Sequence, residues 1–212
     1  MNEKEIINKT KKPITKKSLI NDLKKLKLKG EVVIVHSALS KLGWVCGGAV
    51  ALVEALQEVI TAEGTLIMPA HSGDYSEPKY WGKEAEAITA DHRLDYALGE
   101  NSPLATIYER EGKILLIGVG HDCNTSLHLA EYRADYDLKI KIFGSSILKD
   151  GQNVWAKYQD IEFNDELFPA IGKEYETKYE YNSAIIGLAE AKLFDQKIMV
   201  DFAVNWLEKR EN

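Results

Sequence analysis

Only two cysteines, Cys46 and Cys123, occur in the 212 residues, and no Cys-x-x-Cys spacing exists to hold a metal. A chain this long can bury a sizeable core without a disulfide framework, so both are read as free thiols. No window approaches the run of about 18 apolar residues that a membrane span requires, and no apolar signal-peptide core follows Met1-Asn2-Glu3-Lys4. A cytoplasmic protein with no membrane partner is expected. Positive charge is also in deficit: 27 Lys and Arg stand against 33 Asp and Glu, a net charge of -6, which argues against nucleic acid as a partner. The one basic block, Lys9 to Lys29, interleaves its charges with Leu19, Ile20, Leu23 and Leu26 at helical spacing and reads as a solvated amphipathic helix. Neither G-x-G-x-x-G nor G-x-x-x-x-G-K-[ST] is present, so dinucleotide and P-loop sites are set aside.

What is present is an alternation of strands and helices. Residues 1 to 14 are polar and read as frayed. Thr15 caps a first helix that runs to about Leu28. Val32-Val33-Ile34-Val35 is too short for a helix and rich in β-branched residues, the mark of a strand buried on both faces. Gly47-Gly48 opens a second helix, Gly64 ends it, and Thr65 to Pro69 is the next strand, giving a unit of parallel-crossover length. His71 to Asn101 reads as loop with one short helix. A helix from Ser102-Pro103 to Tyr108, a strand from Lys113 to Val119 and a helix from Thr125 to Tyr132 follow. Strand-like stretches at Lys139 to Phe143, Val154 to Phe163 and Ala184 to Leu193 precede a closing helix from Gln196 to Lys209. The expected architecture is α/β, a single domain over residues 1 to 212, in three α/β/α layers. Its mixed sheet is centrally parallel with antiparallel C-terminal additions.

Ligands of open α/β sheets bind beyond the carboxyl ends of the parallel strands. Four of the five histidines fall in those segments: His36, His71, and His121 and His128 in the stretch Gly120 to His128. His128 stands in the opening turn of a short helix, whose positive end favours the neutral imidazole that a general base must present. Glu131 follows three residues later on the same helical face, where a carboxylate can fix the tautomer and stabilise the protonated ring. A Gln there is expected to remove the charge and keep a hydrogen bond. Solvated or capping pairs also use this spacing. Gly47-Gly48 offers backbone N–H groups to a phosphate, or serves only close packing of helix on sheet. Cys123, beside Asp122, admits a thiol nucleophile, and His121, Asp122 and His128 a metal site, although no H-E-x-x-H or H-x-H spacing supports the latter. Trp44, Tyr80, Trp81 and Tyr132 are candidate pocket walls.

Several blocks together resemble a known family. Val33 to Ser40 with Leu42-Gly43 and Gly47-Gly48-Ala49, then Gly64 to Pro69, Ser102-Pro103-Leu104, Leu116 to Gly120, and Asp122 with Asn124-Thr125-Ser126-Leu127-His128-Leu129-Ala130-Glu131, are similar to the aminoglycoside 3-N-acetyltransferases. The resemblance implies acetyl-coenzyme A as cosubstrate, with no metal, and contacts to its pantetheine arm from His36, Ser37, Ala38, Leu39 and Ser40 and from Thr125 and Ser126. It implies direct transfer to a small-molecule amine such as an aminoglycoside, with His128 as base and Glu131 as its acidic partner. A homodimer is compatible with it. The chain departs from the family in one place: it passes from Tyr80-Trp81 directly into Gly82-Lys83, where the family carries a block of several dozen residues. A coenzyme A binding relative with impaired catalysis, and a hydrolase, are the competing readings.

Overall fold

The structure, a computed structural model, describes residues 3–69, 79–90, 92–135, 138–149 and 151–210. Its helices are α1 (Glu3–Lys9), α2 (Lys16–Leu23), α3 (Leu39–Leu42), α4 (Gly48–Ile60), α5 (Ala85–Thr89), α6 (Pro103–Glu109), α7 (Ser126–Arg133), α8 (Phe168–Lys178) and α9 (Gln196–Arg210). The strands are β1 (Val32–Ser37), β2 (Thr65–Met68), β3 (Lys79–Gly82), β4 (Lys113–Ile117), β5 (Ile140–Lys149), β6 (Gln152–Ile161), β7 (Asn182–Ile186) and β8 (Ala189–Asp195). Six strands form one sheet in the order β3-β2-β1-β4-β8-β7, in which β1 pairs parallel with both β2 and β4, and β3, β8 and β7 run antiparallel to their neighbours.

The strand alternation sorts the core into two halves. Val33, Val35, Leu115, Ile117 and Leu193 pack with Leu19, Leu23, Leu52 and Leu56 of α2 and α4 on one face. Ile34, Ile114, Leu116 and Phe194 pack with Leu127, Ile171, Met199 and Ala203 of α7, α8 and α9 on the other. Helices on both faces of a mixed sheet make the expected three layers. His36 has the parity of Ile34, so it emerges on the face that carries α7. No helix among the described residues is long and apolar enough to cross a membrane.

Five expectations are corrected. The N-terminal segment read as frayed holds α1, and α2 gives way at Lys24–Leu26 to a single 3₁₀ turn closed by Lys27 at φ 56°, short of Leu28. The polar stretch before Asn101 contains, among its described residues, an edge strand, β3, besides the short helix α5. Ala184 to Leu193 is two strands, because the chain reverses at Gly187 with φ 62°, a backbone conformation open to glycine. The two stretches read at Lys139 to Phe143 and Val154 to Phe163 pair with each other as β5 and β6 in a separate two-stranded sheet, so only β7 and β8 are C-terminal additions to the main one. His71 and Asp91 lie outside the described residues.

Candidate active site

β1 ends at Ser37, directly across from Ile117 at the end of β4, and Ala38 N–H donates to Ile117 O at 3.0 Å as the two strands finish together. Beyond these carboxyl ends opens a cleft of about 490 Å³ whose wall includes His36, Ser37, Met68, Asp122, Cys123, Thr125, His128, Asp165 and Phe168. Three strand ends and the start of α7 thus meet at one place, as the parallel topology requires.

α7 is anchored by Leu127, Leu129 and Ala130, all fully buried. Each leucine contributes about 1.5–3 kcal/mol of apolar burial, which fixes the helix against α9 and leaves His128 on the cleft side. His128 Nδ1 lies 2.5 Å from Glu131 Oε2; the imidazole is 13% exposed and the carboxylate 1%. The other oxygen, Glu131 Oε1, accepts the backbone N–H of Asn164 at 3.1 Å. Phe163 and Phe168 meet the imidazole edge-on at centroid distances of 4.6 and 4.8 Å. The ring is therefore held on two sides and at one nitrogen. With Nδ1–H given to the carboxylate, Nε2 is left as the acceptor.

His36 and Thr125, 89 residues apart, meet in the cleft wall just before α7, with Nε2 and Oγ1 3.1 Å apart, and both are buried. Asn124 supports this corner: its Oδ1 accepts from Ser126 N–H at 3.2 Å and its amide reaches Met199 Sδ. Ser126 is fully buried, and its hydroxyl accepts from Gln196 Nε2 at 3.2 Å, behind the cleft wall. Ser37 lines the cleft, whereas Ala38, half-buried, and Leu39 and Ser40 of α3 continue away from it along the turn after β1.

The alternatives take distinct positions. Cys123 is exposed beside Asp122, and burial together with that carboxylate pushes its thiol pKa up, against thiolate formation. His121 turns away from His128: its Nε2 bonds Glu176 Oε1 at 3.0 Å, and its ring packs on Gly172. Among the described residues no three His, Cys, Asp or Glu side chains converge as metal ligands. Gly47 and Gly48 both hold positive φ, 88° and 57°, and a Cβ on Gly48 would meet nothing, so backbone torsion rather than close packing requires glycine there. Tyr132 donates to Asp160, and Trp44 is exposed. Asn164, Phe163 and Phe168 were not singled out from sequence. Their signal was faint: Phe168, Ile171 and Tyr175 follow helical spacing, with Pro169 at the start of α8.

The family model described as aminoglycoside 3-N-acetyltransferase matches residues 34–82 and 79–208. The SPbeta prophage-derived aminoglycoside N(3')-acetyltransferase-like protein YokD of Bacillus subtilis (strain 168) is 35% identical, with 96% of each chain covered. Its crystal structure superposes with a TM-score of 0.88, at 33% identity and 98% coverage of each chain. The aminoglycoside N(3)-acetyltransferase IX of Micromonospora chalcea is 28% identical over 99% of each chain. A solved structure described as AAC-IIIb binary with CoASH matches with a TM-score of 0.83 at 25% identity, covering 94% of this chain and 98% of that one. The two stretches of the family match meet at Lys79–Gly82, and the alignment with YokD takes 261 positions against the 212 residues of this chain, so that relative carries residues that this chain lacks.

Proposed function

Because this chain belongs to the aminoglycoside 3-N-acetyltransferase family, we propose that it transfers acetyl from acetyl-coenzyme A to the 3-amino group of an aminoglycoside or a similar amine. The observation that carries this reading is the His128–Glu131 pair in the wall of a cleft at the sheet's carboxyl edge. An ammonium cannot attack a thioester, so the amine must reach the carbonyl carbon with a lone pair. His128 Nε2 takes the amine proton as the C–N bond forms, Glu131 balances the imidazolium, and the proton passes to the departing sulfur as the C–S bond breaks. No covalent enzyme intermediate is needed, which leaves Cys123 without a chemical role.

The pantetheine arm lies along His36 to Ser40 and Thr125 in this reading, held mainly by backbone groups. Ser126 contributes from behind, tying the start of α7 to Gln196 of α9. Residues 1 to 212 act as one acetyltransferase-like domain. The missing residues favour a second reading, a coenzyme A binder with little turnover. β3 borders β2, whose end at Met68 reaches the cleft, so a block absent at Lys79–Gly82 leaves that side open and weakens cofactor affinity. Calorimetry with acetyl-coenzyme A, then thiol release with a panel of aminoglycosides, tests both. Binding weaker than micromolar with turnover is expected. Binding without turnover on any amine selects the second reading, and ester hydrolysis without coenzyme A defeats both.

A further inference from the structure

Thr125 occupies the position before α7 at which a threonine ordinarily accepts a hydrogen bond from the first turn, yet its hydroxyl makes no such bond. Asn124 does that work instead, through Oδ1 on Ser126 N–H. The Thr125 hydroxyl is directed to His36 Nε2 at 3.1 Å, on the cleft wall that also carries His128 one helical turn later. Both side chains are nine-tenths buried, His36 at 8% and Thr125 at 5% exposure. A hydroxyl has one donor and two acceptor sites. If His36 Nε2–H donates to Oγ1, the Thr125 hydrogen is released from local bonding and turns toward the cleft.

Taking acetyl transfer as given, we propose that Thr125 is a catalytic residue that donates a hydrogen bond to the thioester oxygen, and that His36 is the positioning residue that orients it. As the amine nitrogen bonds to the carbonyl carbon, the C=O π pair moves onto oxygen and a negative charge develops there. Thr125 O–H meets that charge while His128, one helical turn later, receives the amine proton. Collapse restores C=O, breaks C–S, and the thiolate leaves with the proton from His128. The two side chains thus divide the chemistry, His128 managing the proton and Thr125 the oxyanion, and a preorganised donor of this kind acts in the transition state and not in the bound ground state.

The test is steady-state acetyl transfer by wild type, Thr125→Val, Thr125→Ser, His36→Ala and the double variant His36→Ala with Thr125→Val. Thr125→Val should lower kcat by about 10²- to 10³-fold with KM for acetyl-coenzyme A nearly unchanged, and Thr125→Ser should restore most of the rate because it returns the hydroxyl. His36→Ala should slow wild type but add nothing to Thr125→Val, since two groups acting as one unit are not additive. Unchanged kcat in Thr125→Val, or a Thr125→Ser variant as slow as the valine, overturns the oxyanion role. Additive losses in the double variant overturn the positioning role of His36. A wild type that releases no thiol with any amine overturns the acetyl-transfer reading itself, and the Thr125 role with it.

Discussion

Glu131→Gln isolates what the carboxylate does. By spacing alone, Gln keeps a hydrogen bond and loses only charge, which predicts a partial defect. The structure reverses that expectation. Glu131 Oε1 accepts from the backbone N–H of Asn164, so in the variant the amide oxygen must stay there, and the NH₂ group must face His128 Nδ1. An NH₂ can only donate, which places the imidazole hydrogen on Nε2, the atom that has to accept. Charge loss acts in the same direction. With roughly 4 Å between charge centres and an effective dielectric of about 20, the imidazolium–carboxylate attraction is about 4 kcal/mol, or about 10³-fold in rate. Glu131→Gln should therefore reduce kcat by at least about 10³-fold and be no faster than Glu131→Ala, which frees the tautomer. Thiol release under saturating acetyl-coenzyme A measures this, with calorimetric cofactor binding as the control for folding. A Gln variant within tenfold of wild type, or clearly faster than the alanine, would refute the tautomer argument.

His128→Ala should lower transfer by about 10²- to 10⁴-fold with cofactor binding preserved, whereas Cys123→Ala should leave both intact; loss of activity in the cysteine variant alone would point to a covalent route. Gly172→Ala places a Cβ 2.0 Å from Cγ of the buried His121 ring, an overpacking that costs about 1–3 kcal/mol and should lower the melting temperature by several degrees. An unchanged melt would mean that α8 slides freely on the ring. Burial lowers the His121 pKa below 6.5, outweighing the raising effect of Glu176. The unfolded chain then binds this proton first as pH falls, so the stabilisation is complete above pH 6.5 and declines below it. Melting curves from pH 7.5 to 5 should fall more steeply for wild type than for His121→Gln, and parallel curves would contradict this.

The parallel centre of the fold was legible because Val32 to Val35 and Ile114 to Ile117 are apolar on both faces, a local pattern that only a covered central strand tolerates. His128 and Glu131 were legible for a similar reason, since a helix repeats every 3.6 residues and residues three apart must share a face. Alternation, by contrast, reads the same whether a strand joins the main sheet or pairs elsewhere, so the departure of β5 and β6 had no sequence mark. Four-residue β3 carries strand-favouring Tyr80 and Trp81 but is too short to be read as a strand by itself, and it is specified by pairing with β2. The contacts that complete the site cross long separations: Asn164 to Glu131 spans 33 residues and Thr125 to His36 spans 89. Helical and strand periodicity act over a few residues, so the sequence alone determined the sheet's central strands and the His128–Glu131 pair. Which backbone N–H holds Glu131, and which imidazole faces Thr125, were decided only when packing of α7 and α8 on the sheet brought distant segments together.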